Sequence, residues 1–168
     1  MNTLRNAGKV KRFHTVETIG QQTVAEHSFN VCLILLFITN GTASSELLKA
    51  ALYHDLPELI TGDVPATAKW KSEALSQALT EVEQRFEKDF NLSVEISDSE
   101  KLLLKWADMY ELVQYCFDQL RLGNRNMLLI ADRGVDYLAA MSYMNNTTAE
   151  LLFVNARHEL RRWLSESE

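Results

Sequence analysis

The pattern of apolar and polar positions predicts helices along most of the chain. Apolar residues recur at three- and four-residue intervals, the period of one helix face, and no stretch alternates as a strand does. Thr23 and Ser97 are each followed three positions later by a glutamate, which is typical of a capping box at a helix start. We therefore predict an all-α fold, a bundle of roughly six or seven helices, in a single domain over residues 1–168.

Residues that start or stop helices set the predicted boundaries. Asn40 and Gly41 end the helix that follows Thr23. Pro57 falls near the end of the next helix, where a missing amide hydrogen bond costs little. The glycine and proline of residues 61–67 predict a loop directly after it. The predicted helices cover residues 3–10, 23–38, 44–57, 70–90, 97–120, 126–143 and 147–163.

Composition and charge narrow the class of protein. The 168 residues are 46% hydrophobic, enough for one compact domain with a sizeable core. The longest apolar run, residues 31–38, is far shorter than the roughly 20 residues that span a bilayer. The N-terminus does not resemble a signal peptide, so we expect a cytoplasmic protein without membrane contact. A net charge of −6 argues against binding of duplex nucleic acid, but it is compatible with a small anionic ligand in a local basic pocket.

A histidine and an aspartate, His54 and Asp55, lie side by side in an otherwise apolar helical stretch. Burying either group is costly unless it is hydrogen-bonded or bound to a cation. Neighbouring helix positions differ by roughly 100°, so both side chains can reach one ion, and Glu58 follows one turn later. His27 and Asp108 lie among apolar residues in two other predicted helices. Two imidazoles and two carboxylates suit Zn²⁺, Mn²⁺, Fe²⁺, Co²⁺ or Ni²⁺, although from spacing alone a structural ion pair is an equal alternative.

Four short segments resemble a known set of motifs in order and separation. They are AEHS at residues 25–28, YHDLPE at 53–58, TGDVP at 61–65 and KWAD at 105–108. Together they resemble the H…HD…D motifs of the HD-domain metal-dependent phosphohydrolases, over about residues 8–123. Within that superfamily they look most like the motifs of bacterial 5′-deoxynucleotidases and small phage dATP triphosphohydrolases. The resemblance implies the helical HD-domain fold.

The resemblance also implies a metal centre and a catalytic group. The ion would be a divalent transition metal, Zn, Co, Mn, Fe or Ni, and additional Mg²⁺ could accompany the phosphates. The metal would polarise a phosphoryl oxygen and help to generate the attacking hydroxide. Glu58 matches the catalytic glutamate, which accepts a proton from the water or orients it. The residues that match the metal ligands are His27, His54, Asp55 and Asp108.

Contacts to the substrate follow from the same resemblance. Arg12 matches a phosphate-binding arginine, whose paired donors fit a phosphate. Phe13 stands where relatives often have tryptophan, a flat residue beside the deoxynucleoside that disfavours a 2′-hydroxyl, and this difference bears on sugar selection. The predicted substrate-binding residues are Arg12, Phe13, Asp63, Thr67, Lys69 and Lys105.

Taken together, these residues predict hydrolysis of 2′-deoxynucleoside 5′-phosphates. We favour a triphosphohydrolase that converts dATP to deoxyadenosine and triphosphate, because five basic residues exceed what one monophosphate needs. Those residues are Lys9, Lys11, Arg12, Lys69 and Lys105. The alternative is a 5′-deoxynucleotidase that acts on monophosphates. A non-catalytic nucleotide-binding HD protein and a cyclic-nucleotide or (p)ppGpp hydrolase are further alternatives. We also expect a homo-oligomer, a dimer or a hexamer, because members of the superfamily commonly assemble.

Overall fold

The structure is a computed structural model that describes residues 2–65, 68, 71–141 and 145–166. Within these ranges it contains helices and no strand, which confirms the all-α prediction. The helices are α1 (Asn2–Ala7), α2 (Val24–Ile38), α3 (Ser45–Tyr53), α4 (Glu58–Thr61), α5 (Glu73–Phe90), α6 (Asp98–Arg121), α7 (Leu128–Ala140) and α8 (Thr147–Ser165), and a 3₁₀ turn, Arg125–Met127, precedes α7. No helix in the described ranges combines the length and the apolar character needed to cross a bilayer.

Both predicted capping boxes are present. The Thr23 hydroxyl accepts a hydrogen bond from the Glu26 amide at 3.3 Å, and the Glu26 carboxylate accepts one from the Thr23 amide at 2.8 Å. Ser97 and Glu100 make the same reciprocal pair at the start of α6. These caps satisfy amide groups that the first turn of a helix leaves without partners, so α2 and α6 begin where the sequence predicts.

The largest difference from the predicted boundaries lies at residues 54–57. The prediction continues the third helix through Pro57, whereas α3 ends at Tyr53 and a turn leads into the short helix α4. Proline has no amide hydrogen to donate to the Tyr53 carbonyl, and its ring crowds that carbonyl. The amides of Leu56 and Glu58 instead donate to the carbonyls of Tyr53 and Asp55 in tighter three-residue turns. Glu58 therefore opens a separate helix.

Helix α6 is the centre of the core, and α2, α3, α7 and α8 pack around it. Its side chains Trp106, Val113 and Phe117 are almost fully buried and form one apolar cluster with Val31 and Leu35 of α2. This burial is the main stabilising contribution available to a helical fold of this size. It also brings the first turn of α2 beside the middle of α6.

A glycine permits the close approach of α7 to α6. A β-carbon at Gly134 would lie 2.6 Å from Cγ2 of Val113, a fully buried side chain. We expect Gly134→Ala to lower the free energy of unfolding, because overpacking costs about 1–3 kcal/mol and outweighs the helix-propensity gain of about 1 kcal/mol. Urea denaturation measures this change. If the free energy of unfolding instead rises by about 1 kcal/mol, the helix-propensity gain alone, the close packing of Gly134 against Val113 would be contradicted.

Candidate active site

The structure brings together the four residues that the sequence predicts as metal ligands. The His27 Nε2 atom lies 3.0 Å from Asp108 Oδ1, 3.4 Å from Asp55 Oδ2 and 3.3 Å from His54 Nε2. His54 Nε2 lies 3.4 Å from Asp55 Oδ1 and 3.8 Å from Asp108 Oδ1. Ligand atoms of His27, His54 and Asp55 all lie within 4.8 Å of one another, close enough to hold one metal ion. We call His27, His54, Asp55 and Asp108 the His–Asp cluster.

Three separate segments supply the His–Asp cluster. His27 lies in the first turn of α2, His54 and Asp55 lie in the turn after α3, and Asp108 lies in α6. Each imidazole is oriented through its Nδ1 atom, which lies 2.7 Å from the Ala51 carbonyl oxygen in His54 and 2.5 Å from a Glu111 carboxylate oxygen in His27. When Nδ1–H donates to oxygen, Nε2 is the ring atom that can give up its proton and bind a metal ion at the cluster.

The electrostatics of the cluster favour a cation. Burial alone would lower the pKa of His54, but the negative charges of Asp55 and Asp108 outweigh it and raise that pKa to about 9. Burial would raise the pKa of Asp108, yet hydrogen bonds from His27 and His54 hold it well below its ordinary value. The carboxylates thus attract positive charge to the point between the two rings, which is where a divalent ion would bind.

A cavity of about 280 Å³ opens beside the His–Asp cluster. Asp55 and Asp108 contribute to its wall, so a bound molecule would meet the cluster directly. The other charged residues of the wall are Arg12, Glu58, Asp63 and Arg133. Its apolar wall includes Phe13, Val16, Met109, Leu112 and Ile130. One charged end and one apolar wall suit a ligand that combines a phosphate with a nucleoside.

The predicted substrate residues Arg12, Phe13 and Asp63 meet at this cavity. Arg12 is only 8% exposed, and its Nη1 atom donates to Asp55 Oδ2 at 2.7 Å. Phe13 has a positive φ of 57°, which is unusual for a residue with a side chain, and its amide donates to Asp63 Oδ2 at 2.9 Å. The Phe13 ring stacks on Tyr115 with 4.8 Å between centroids. Asp63 therefore holds the backbone that presents Phe13 to the cavity.

Other predicted residues do not line the cavity or lie outside the described ranges. Thr67 and Lys69 are outside the described residues. Lys105 is exposed, and its Nζ atom lies 5.5 Å from the centre of the Tyr137 ring; Tyr137 lines the cavity, but Lys105 does not. Lys9 and Lys11 are exposed and lie outside the lining of this cavity. Much of the charge expected for a triphosphate is thus not on the cavity wall formed by the described residues.

Sequence reasoning missed two residues, Glu111 and Arg133. Glu111 pairs with His27, and the available signal was its position three residues after Asp108, on the same face of α6. Arg133 lines the cavity from α7, and nothing in the sequence distinguishes it from the other charged residues of that helix. Its place depends on how α7 packs against α6.

A family comparison identifies the class of protein. The model of the YfbR-like 5′-deoxynucleotidase family matches residues 1–161. The chain belongs to the YfbR-like family. It is 26% identical to a 5′-deoxynucleotidase of Vibrio vulnificus, over 83% of this chain and 87% of that protein. It is 27% identical to the 5′-deoxynucleotidase YfbR of Shigella dysenteriae, over 78% of this chain and 77% of that protein.

Solved structures share the fold of this YfbR-like chain. The HD phosphohydrolase DatZ of cyanophage S-2L, solved with dA and one catalytic Zn²⁺, aligns with a TM-score of 0.70 and 19% identity over 96% of both chains. An HD-domain phosphohydrolase of Listeria innocua aligns with a TM-score of 0.74 and 22% identity, over 95% of this chain and 86% of that chain. These findings confirm the HD-domain resemblance and the helical HD fold. As a member of the YfbR-like 5′-deoxynucleotidase family, the chain is a phosphohydrolase, and hence an enzyme.

Proposed function

We propose that this enzyme hydrolyses 2′-deoxynucleoside 5′-monophosphates to a deoxynucleoside and inorganic phosphate. The observation that carries the proposal is that the His–Asp cluster borders, through Asp55 and Asp108, a cavity that also has an apolar side. The relatives that match most of the chain bear the name 5′-deoxynucleotidase. The cavity volume of about 280 Å³ is near the lower end of the roughly 300–1,000 Å³ of typical small-molecule sites, which suits a compact substrate.

The residues of the His–Asp cluster fit a divalent transition metal. Imidazole nitrogens and carboxylate oxygens together suit Zn²⁺, Co²⁺, Mn²⁺, Fe²⁺ or Ni²⁺. In this proposal His27, His54, Asp55 and Asp108 hold the ion. When bound, such an ion supplies Lewis-acid polarisation of the phosphoryl group and makes water a stronger nucleophile at neutral pH.

Glu58 is the proposed catalytic base. Its side chain lines the cavity together with Asp55 and Asp108. A water oxygen would attack phosphorus, the bond between phosphorus and the 5′ oxygen would break, and the 5′ oxygen would leave with a proton from solvent, to which Glu58 later returns the proton that it has taken. In the proposed reaction Glu58 accepts the proton that the attacking water loses, the role of a general base.

The charges of the cavity support a monophosphate better than a triphosphate. Among the described residues, Arg12 and Arg133 are the cations that line it, against the four carboxylates of Asp55, Glu58, Asp63 and Asp108. Arg12 is already paired with Asp55 at 2.7 Å. Three phosphates in line would need more positive charge than this wall offers. These observations favour the monophosphate over the dATP substrate that the basic residues suggested.

Phe13 supports selection of a 2′-deoxy sugar. Its ring forms part of the apolar wall and is backed by Tyr115, so the wall is flat and well supported. A 2′-hydroxyl packed against this ring would lose hydrogen bonds to water without a replacement, which disfavours ribonucleotides. The proposed preference is therefore dNMP over NMP.

Product analysis tests the proposed function. The protein, loaded with Co²⁺ or Mn²⁺, is offered the four dNMPs, the four dNTPs, AMP and ATP, and the released phosphate species are identified. The proposal expects inorganic phosphate from dNMPs, little from AMP and no triphosphate from dNTPs. Triphosphate plus deoxynucleoside from dATP, with dAMP inert, would overturn it in favour of a triphosphohydrolase. If the metal-loaded protein releases no phosphate species from any nucleotide, both the 5′-deoxynucleotidase and the triphosphohydrolase activities are ruled out.

Arg133 gives a prediction about substrate affinity. It lies at the exposed rim of the cavity, and no carboxylate within the described residues forms an ion pair with it. We expect Arg133→Gln to raise KM for a dNMP about tenfold, because a charged hydrogen bond at a solvated site is worth about 1.4 kcal/mol. Steady-state kinetics measures the change, with Arg157→Gln, another exposed arginine, as control. An unchanged KM would remove Arg133 from the substrate site.

The homo-oligomer stays a prediction. Phe29, Leu33 and Phe37 lie along the outer face of α2 and are 60%, 49% and 61% exposed in the single chain. Spaced four residues apart, they form one apolar stripe that is consistent with assembly.

A further inference from the structure

Glu111 is a buried carboxylate that lies behind the His–Asp cluster. The residue is 3% exposed and faces His27, which is fully buried. It accepts hydrogen bonds from Gln22 Nε2 at 2.7 Å and from Asn30 Nδ2 at 3.3 Å, and its second oxygen lies 2.5 Å from His27 Nδ1. It does not line the cavity, so it does not face a substrate.

Burying a carboxylate at this position costs folding free energy, so we expect the residue to have a functional role. Removing a charged group from water carries a large penalty, and two amide donors and one ring nitrogen compensate it here. Leu or Met would fill a core position on α6 without that penalty. The distinctive contact of Glu111 is with Nδ1 of His27, the ring nitrogen that points away from the cluster.

The contact determines which nitrogen of His27 faces the cluster. With Nδ1–H donated to Glu111, Nε2 is the atom that lies 3.0 Å from Asp108 and 3.4 Å from Asp55. Without an acceptor at Nδ1, the ring could rotate, or its proton could move to Nε2, and either change removes the lone pair from the cluster. A histidine ligand needs both the correct tautomer and the correct ring orientation.

We infer that Glu111 is a positioning residue, which holds His27 in the tautomer and orientation that present Nε2 to a metal ion. Gln22 and Asn30 hold the carboxylate in turn. The Gln22 carbonyl also accepts a hydrogen bond from the Arg12 amide at 3.0 Å. Gln22 therefore contacts both Glu111 and the segment that carries Arg12. The inference rests on the proposed function only in that the His–Asp cluster binds a metal.

Metal affinity of Glu111→Gln tests the inference. The substitution keeps the side-chain volume and removes the charged acceptor. We expect Co²⁺ to bind about 10–100-fold more weakly, as for other partners of metal-bound histidines, and the visible spectrum of bound Co²⁺ to change. Glu81→Gln, the same change at an exposed position of α5, is the control and should bind Co²⁺ as the wild type does. A merely structural glutamate would alter the melting temperature but not the spectrum of the loaded site.

A second variant keeps the test decisive if Glu111→Gln does not fold. Gln22→Met removes one donor to the carboxylate at similar volume, and we expect a smaller but measurable loss of Co²⁺ affinity. Wild-type affinity in every variant that folds would overturn the inference, as would a wild-type protein that binds no Co²⁺. Failure of the proposed function has a different signature, because the wild type would then bind Co²⁺ and hydrolyse no dNMP.

Discussion

Glu58→Gln should lower kcat for dNMP hydrolysis by about 10²–10⁴-fold, the usual contribution of a general acid or base. Glutamine has almost the volume of glutamate, but its amide does not accept the proton of an attacking water. Glu58 lies on the cavity wall and opens α4, whereas the His–Asp cluster comes from other segments. The loss should therefore appear in kcat, with metal still bound.

Two measurements on the same preparation separate chemistry from metal loss. Metal content by mass spectrometry should match the wild type while single-turnover hydrolysis is slow. Glu81→Gln is the control, because it makes the same chemical change on the exposed surface of α5. Full activity of Glu58→Gln with metal bound would show that another group takes the proton, and loss of the metal would make Glu58 part of the metal site.

His54→Gln should abolish metal binding and, with it, hydrolysis. The His54 Nε2 atom lies within 3.3–3.8 Å of His27, Asp55 and Asp108, so the cluster loses a central donor. We expect Co²⁺ affinity to fall by at least roughly 10³-fold, which corresponds to about 4 kcal/mol. The His54 side chain is 18% exposed, whereas His27 is fully buried, so His54 is the ligand whose replacement disturbs packing less.

Titration with Co²⁺ and assays at saturating Co²⁺ test this second prediction. His158→Gln, which changes an exposed histidine of α8, is the matched control and should behave as the wild type does. Treatment of the wild type with a chelator should reproduce the loss of activity, and added metal should restore it. If His54→Gln binds Co²⁺ normally, the His–Asp cluster is not the metal site.

The helices could be predicted because their signals are local. The capping boxes at Thr23 and Ser97 lie within four residues of the helix starts that they define. The end of α3 was predicted four residues too late, since the apolar pattern continues to Pro57 while the backbone has already turned at His54. The apolar pattern alone does not register that Pro57 has no amide hydrogen to continue the helical hydrogen bonds.

Some residues of the candidate site could also be predicted from the sequence, and others could not. His27, His54, Asp55, Asp108 and Glu58 could be named because their motifs are short and the resemblance carries each residue to its own position. The cations were less predictable. Lysines near the motifs in sequence were expected to bind phosphate. Among the described residues, however, no lysine lines the cavity, and its second arginine, Arg133, comes from α7.

The sequence by itself determined the all-α class and most helix starts, because each depends on neighbours within a turn or two of the chain. Only the tertiary structure decided that Glu111 contacts His27, that Arg133 lines the cavity and that Arg12 pairs with Asp55. Those contacts join positions far apart in the chain. They depend on how closely helices approach, as at Gly134 against Val113, which residue spacing along one helix does not encode.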